Sequence, residues 1–310
     1  MTVRRPERLA ALMNAAASAG IVVPAFNVFY SPVVEAICRA LVEYDVFGMV
    51  EVSRIEICKF QAGSPTAIAR EYRKFADPRV TSLHLDHIPV IDEDGIEVDW
   101  EPLIVEGLEA GYDSVMIDAS RLPFDENVEI TARVVDMAHA QGALVEAELG
   151  SVLGHEAGPL PPYEELFASK VGFTDPDQAA EFVRRTGVDW LSVSVGSIHG
   201  AITPGDRDRA KIEARLDIER LRELRDATGV PLVLHGGSGV RQSCVLEAVA
   251  NGIAKINIAT DLRQPYERVL AETGSVARAQ DAVADVIGRL AREVYGIEGS
   301  ATRLAGIVDG

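Results

Sequence analysis

The sequence predicts an α/β fold of the closed (β/α)8, or TIM-barrel, kind. Three observations carry this. Eight short runs rich in Val, Ile, Leu and Ala are mostly apolar on both faces, as parallel strands covered by helices must be. Segments of helical periodicity separate them, the alternation that builds a parallel sheet. A length of 310 residues suits one large α/β barrel or two domains. A doubly wound open sheet is the alternative. No linker, low-complexity tract or short internal repeat divides the chain. Residues 1–310 are therefore read as a single domain with extra N- and C-terminal helices.

Residues 6–19 form a short helix stopped at Gly20. Arg4-Arg5 ahead of alanine-rich residues has the outline of an export signal, but Glu7, Arg8 and Asn14 interrupt its apolar part. A strand over 21–28 leads to a helix over 32–44, with Pro32 in the first turn, where a missing N–H is harmless. Residues 47–53 are the second strand and 65–75 a helix. Residues 80–87 are the third strand, preceded by the turn-forming pair Asp77-Pro78. A helix over 100–110 stops at Gly111. The fourth strand is 114–120, followed by a helix over 125–139 capped by Gly142, and the fifth strand is 143–150. A long loop follows, about 151–172, carrying Gly154, Gly158, Pro159, Pro161 and Pro162. A loop of that length in a compact fold suits a mobile lid. The helix over 175–186 has Pro176 at its start and Gly187 after its end. Strand 190–196 precedes an irregular stretch, a helix over 217–227, strand 231–235, a helix over 243–250 and strand 254–260. Helices fill 262–295.

Composition limits the function. A net charge of −18 argues against nucleic acid or anionic membrane partners. It also repels phosphorylated ligands at long range, so any phosphate site must be built locally. No apolar run reaches the length of a membrane span. Cys38, Cys58 and Cys244 are widely spaced and form no CxxC pair, which predicts no disulfide framework and a reducing, cytoplasmic compartment.

In such a barrel the C-terminal ends of all strands open on one mouth, where catalytic groups gather. The polar residues there are Asn27, Ser53, Asp86 with His87, Asp118, Glu146, Glu148, His199, His235, and Asn257 with Thr260. His87, His199 and His235 supply imidazoles from strands three, six and seven, a ligand set suited to catalytic Zn2+ with one position left open. Asp86 places a proton carrier beside a ligand. His84 lies inside its strand and is expected to pack there. His139 sits in the last turn of a helix, where a charged imidazole suits the dipole. His155 belongs to the long loop, near the site or solvated. Glu146 and Glu148 share a strand face; both enter the mouth, or Glu146 sits deeper and pairs with Lys255. Asp118 is suited to orienting a ligand histidine. His235-Gly-Gly-Ser-Gly-Val240 after strand seven and Asn257-Ile-Ala-Thr260 at strand eight occupy places where barrels bind phosphate through backbone N–H groups.

Seven stretches carry a family resemblance: Pro24-Ala-Phe-Asn27, Leu83-His-Leu-Asp-His87, Gly111-Tyr-Asp-Ser-Val-Met-Ile-Asp118, Val145-Glu-Ala-Glu-Leu-Gly150, Val195-Gly-Ser-Ile-His-Gly200, Pro231-Leu-Val-Leu-His-Gly-Gly-Ser-Gly239 and Lys255-Ile-Asn-Ile-Ala-Thr260. In this order, over nearly the whole chain, they resemble the class II, metal-dependent ketose-bisphosphate aldolases, the family of fructose- and tagatose-bisphosphate aldolase. The resemblance implies a phosphorylated ketose cleaved reversibly to dihydroxyacetone phosphate and an aldehyde through a zinc-stabilised enediolate. It implies His87, His199 and His235 as the Zn2+ ligands, Asp86 as the acid–base group and Glu148 at an alternative metal position. Glu156 matches an acidic residue of the mobile loop that moves protons at the enediolate carbon. Gly200, Gly236, Ser238 and Thr260 match phosphate-binding positions, with Gly237 in the same turn. Gly200 and Gly236 also match the surroundings of a monovalent cation (Na+ or K+). Asn27, Asn257 and Ser53 match contacts to the triose-phosphate part. A homodimer or homotetramer is implied as well.

The chain departs from the family pattern after His87, where the acidic segment 88–99 reads as an extra turn or hairpin at the mouth, against the aldehyde half of the substrate. Arg54-Ile-Glu-Ile-Cys58 lacks the small residues expected beside a phosphate. Ala259 stands where the fructose-specific branch has Asp and tagatose-type relatives have Ala. A second phosphate needs a cation, for which Arg54, Arg207, Arg209 and Arg263 are candidates; a monophosphate is the other reading. Two further functions share this outline. A non-catalytic accessory subunit should have lost the acid or the ligands, and a three-histidine epimerase or hydrolase would release no dihydroxyacetone phosphate.

Overall fold

The structure is a computed structural model that describes residues 5–150, 163–197, 214–237 and 240–310. Its strands are β1 (Val23–Asn27), β2 (Gly48–Val52), β3 (Thr81–Pro89), β4 (Ser114–Asp118), β5 (Leu144–Leu149), β6 (Trp190–Val193), β7 (Leu232–Leu234) and β8 (Ile253–Ile258). They pair in parallel in sequence order, and β8 closes back onto β1. The expected (β/α)8 barrel is therefore present, and closure excludes the open sheet. Nearly every strand residue is buried, because helices cover the outside while side chains of alternate strands fill the inside.

The helices are α1 (Arg5–Ala19), α2 (Val33–Glu43), α3 (Arg54–Lys59), α4 (Pro65–Phe75), α5 (Glu101–Glu109), α6 (Phe124–Gln141), α7 (Tyr163–Ser169), α8 (Pro176–Thr186), α9 (Ile218–Thr228), α10 (Gln242–Val249), α11 (Thr260–Thr273), α12 (Val276–Arg289) and α13 (Ser300–Asp309). Side-chain caps fix several starts: the Asp175 carboxylate accepts from Asp177 N and Gln178 N, and the Asp217 carboxylate from Arg220 N, each at 3.0 Å. On α2, Val33, Val34, Ala36, Ile37, Cys38, Ala40 and Leu41 are buried, the wide apolar face of a helix laid on a sheet.

Several boundaries differ from expectation. Helices α3, α7 and α13 have no counterpart in the sequence reading. The first two are only six and seven residues long, too short for a periodic signal. Helix α13 is held by burial of Ala301 and Leu304 and by the ion pair Arg8–Asp309. Strand β8 ends at Ile258, so Thr260 opens α11 instead of ending a strand. Strand β3 runs two residues past His87. Beyond it, segment 88–99 forms a hairpin: Val98 N donates to Val90 O and Asp92 N to Ile96 O, both at 2.9 Å. Gly95 makes its turn at φ +77°, which an L side chain adopts only with strain. No helix among the described residues is long and apolar enough to cross a membrane.

Candidate active site

Asp86 and His87, the acid and imidazole expected side by side at the mouth, are neighbours on β3. Neighbours on a strand face opposite ways, so a regular strand would turn one of them toward the outer helices. The structure resolves this with a bulge. Leu85 pairs with Val115 and Ile88 with Ile117, so Asp86 and His87 together oppose one residue of β4. His87 absorbs the irregularity at φ +26°, and both side chains enter the barrel mouth.

Asp86 is buried, and both its oxygens are held. Asn257 Nδ2 donates to Oδ1 at 2.8 Å and Asn27 Nδ2 to Oδ2 at 3.1 Å. Burial pushes the Asp86 carboxyl up, but His87, Lys255 and His235 outweigh burial and bring it down to about 2. It is a carboxylate at neutral pH.

Around it stands a cluster of imidazoles and acids. The His87 and His235 rings lie 4.4 Å apart, edge to face. His87 Nδ1 is 3.4 Å from Asp118 Oδ2, and Nε2 is 4.0 Å from Glu148 Oε2. Ser120 N and Oγ donate to the other Asp118 oxygen at 3.0 and 2.6 Å, which fixes Asp118 beside His87 Nδ1. Burial lowers the His87 imidazole, yet Asp86, Asp118 and Glu148 raise it further, to about 10. For His235, burial and His87 act downward, and Glu146 and Glu148 overcome them.

These residues fit a divalent cation. Glu146 is an acceptor only, and His235 Nε2 points at its Oε1 at 3.0 Å, which makes Nε2 the protonated nitrogen. The other nitrogen, Nδ1, is buried without a hydrogen bond, 3.3 Å from Glu148 Oε2. Two ligand sets have their atoms within 4.8 Å of one another: Asp86, His87 and His235, and His87, Asp118 and Glu148. Imidazole and carboxylate donors together suit a divalent metal ion.

Below the mouth lies a layer of polar residues fully shielded from solvent: Glu51, His84, Glu146, Trp190 and Lys255. Lys255 Nζ is 3.0 Å from Glu146 Oε2 and 3.3 Å from Glu51 Oε2, so the deeper placement of Glu146 is the one observed. His84 packs inside as expected, bonded through Nδ1 to Ser114 Oγ at 2.8 Å. Burial and Lys255 push its imidazole down to about 3, which keeps it neutral. Glu51, His84 and Asp86 also form a ligand set by distance, but Lys255 already supplies the positive charge there. Sequence reasoning missed Glu51 and Trp190. The available signal was a carboxylate inside an otherwise apolar strand, Gly48-Met-Val-Glu-Val52.

Ser53 is buried at the end of β2, and its backbone N donates to Glu56 Oε2 at 2.6 Å, so it starts α3. Burial pushes the Glu56 carboxyl up to about 7, partly offset by hydrogen bonds from Ser53 and Asn27. Gly236 turns the chain after β7 at φ +70°, and Gly237 follows it. His139 lies in the last turn of α6, 2.9 Å from Asp189. His199, Glu156, Gly200 and Ser238, along with His155, Arg207 and Arg209, lie outside the described residues. So does most of the expected lid.

The family model of class II fructose-bisphosphate aldolase matches residues 7–297. The chain belongs to the class II fructose-bisphosphate aldolase family. It is thus a class II aldolase, a carbon–carbon lyase of a metal-dependent family. The aldolase is 34% identical over 245 residues to a fructose-bisphosphate aldolase of Staphylococcus epidermidis, covering 78% of this chain and 77% of that one. It is 35% identical over 217 residues to that of Geobacillus stearothermophilus, covering 69% and 67%. Over 154 residues, half of each chain, it is 47% identical to the Escherichia coli K12 protein YdjI. The crystal structure of the YdjI aldolase superposes with a TM-score of 0.74 at 29% identity, covering 94% of this chain and 98% of that one.

Proposed function

We propose that this aldolase reversibly cleaves a phosphorylated ketose to dihydroxyacetone phosphate and an aldehyde, with one Zn2+ held at the mouth. The observation that supports this reading is Asp86, ionised and gripped by two amides, against the His87–His235 pair. His87 and His235 would hold the ion, joined by His199 on the family resemblance, with Glu148 at an alternative position. When bound, the ion supplies Lewis-acid polarisation of the ketose carbonyl and steadies the enediolate charge of the triose-phosphate half, an effect of several kcal/mol.

The chain's own residues do the rest. Asp86 takes the proton of the C4 hydroxyl. The C3–C4 bond breaks, its electron pair stays with C3, and C4 leaves as the aldehyde carbonyl. On the resemblance, a protonated Glu156 donates a proton to C3, and exchange with solvent then deprotonates Asp86 and reprotonates Glu156 for the next turnover. Asn27, Asn257 and Ser53 contact the triose-phosphate part. Its phosphate is taken by Gly200, Gly236, Gly237, Ser238 and the N-terminus of α11 at Thr260, where backbone N–H groups make a local anion site on an acidic protein.

Arg54 is paired with Asp92 at 3.1 Å and Arg263 with Glu267 at 2.9 Å. Both of the candidate cations for a second phosphate among the described residues are thus engaged in ion pairs, Arg207 and Arg209 lie outside those residues, and the substrate class includes ketose mono- and bisphosphates. The reading also includes a single-domain enzyme of the cytoplasm, a homodimer or homotetramer, and a Na+ or K+ near Gly200 and Gly236. The test is an aldol screen of chelated and Zn2+-reconstituted protein with dihydroxyacetone phosphate and a panel of aldehydes. A ketose phosphate should form only with the ion. Equal product after chelation would overturn the metal role, and no product from any aldehyde would overturn the substrate.

A further inference from the structure

Lys255 stands behind both halves of the site, and neither half contains it. Its ammonium group is fully buried in the polar layer of the barrel. Toward β5 it is 3.0 Å from Glu146 Oε2, an oxygen that also accepts from Trp190 Nε1 at 2.7 Å. The opposite oxygen, Oε1, faces His235 Nε2 at 3.0 Å. Along its own strand, Lys255 donates to Asn257 Oδ1 at 2.7 Å. With that carbonyl occupied, the Asn257 amide must turn its NH2 the other way, onto Asp86 Oδ1 at 2.8 Å. One cation therefore fixes two rotors. Through Glu146 it fixes the ring nitrogen that His235 turns to the pocket, and through Asn257 it fixes the donor that grips Asp86.

We propose that Lys255 is a positioning residue for both the metal ligand His235 and the acid–base group Asp86. It acts through the orientation of Glu146 and Asn257 and touches neither substrate nor ion. The inference rests on the reading of a metal-dependent lyase given above. Partners that orient a ligand histidine commonly change metal affinity 10- to 100-fold when removed, as a rough range.

Glu146→Gln separates the two halves. Lys255 and Trp190 both donate to one side of residue 146, so a glutamine there must place its carbonyl on that side. Its NH2 then faces His235 Nε2, which has to become an acceptor, and the proton moves to Nδ1, the nitrogen aimed at the pocket. Asn257 and Asp86 are left as they are.

The test compares full-length wild type, Glu146→Gln and Lys255→Met. Zn2+ affinity is measured by competition with a chromophoric chelator, His235 tautomers by 15N shifts, and kcat and KM at saturating Zn2+. Glu146→Gln should bind Zn2+ roughly 10- to 100-fold more weakly, show the Nδ1-protonated form of His235 when metal-free, and recover kcat once saturated. Lys255→Met should lose affinity similarly and in addition keep kcat down by roughly 10- to 100-fold at saturating ion. That is what losing one hydrogen bond to a charged group implies. If Lys255→Met fails to fold, Lys255→Met/Glu146→Gln removes both charges together and should show the same unrecovered kcat. Wild-type affinity in folded Lys255→Met, or full recovery of its kcat, would overturn the proposal. A wild-type protein that binds no Zn2+ overturns the metal reading itself, and this inference with it.

Discussion

Four carboxylates, Asp86, Asp118, Glu146 and Glu148, surround two imidazoles whose burial alone would keep them neutral. For His87 the balance is clear: burial lowers it, but Asp86, Asp118 and Glu148 lift it to about 10. Metal-free, it carries a proton at neutral pH, and a divalent ion must displace that proton to reach the ring nitrogen. Below its raised pKa, every step down in pH strengthens the competing proton. Zn2+ affinity should fall about tenfold per pH unit from about pH 8 to about pH 6, and calorimetry in buffers of different ionisation enthalpy should show proton release on binding. A pH-independent affinity without proton release would contradict this. At this scale the site was partly legible. Asp86, His87 and His235 declared themselves as acids and imidazoles ending apolar runs. Glu51 and Trp190 did not, because a strand letter in isolation does not show which face of a barrel it enters.

The bulge in β3 is the element that makes the site, and it carries a cost. His87 sits at φ +26°, where any side chain beyond glycine is strained by roughly 1–2 kcal/mol. Compared without metal, so that the lost imidazole is common to both, His87→Gly should unfold at higher denaturant than His87→Ala by about 1 kcal/mol. Equal midpoints would mean that residue 87 relaxes out of the left-handed region. The hairpin after β3 is likewise built around one residue. The carboxylate of Asp92 accepts from Asp94 N at 3.1 Å and Ile96 N at 2.9 Å and pairs with Arg54, while its carbonyl accepts from Arg121 at 2.6 Å. Asp92→Ala should cost about 1–3 kcal/mol in denaturant unfolding and change aldehyde preference more than affinity for dihydroxyacetone phosphate. An unchanged aldehyde profile would separate the hairpin from specificity. The hairpin was readable from the break in the family pattern and from Gly95. The bulge was not, since it depends on how many residues β4 offers in register, and α3 was hidden by its single turn and a half.

For the whole molecule, alternation of apolar strands and helices was enough to indicate a closed barrel, because burial on both faces leaves a parallel sheet few other forms. Strand ends shifted by one to three residues, as at β8, β1 and β6, where local propensity does not mark the last ladder bond. The arrangement that could not be read is the stack of two layers. A polar layer of Glu51, His84, Glu146 and Lys255 lies under a mouth of Asp86, His87, Glu148 and His235, and the lower layer aims the upper. On the proposed reading this mouth holds one ion and a separate base. The most direct test is Zn2+ stoichiometry and ketose-phosphate cleavage measured together on wild type and Asp86→Ala. Both proteins should bind about one Zn2+ per chain, with cleavage slowed by about 100-fold or more in Asp86→Ala. Cleavage at the wild-type rate in Asp86→Ala, with its ion in place, would contradict that reading.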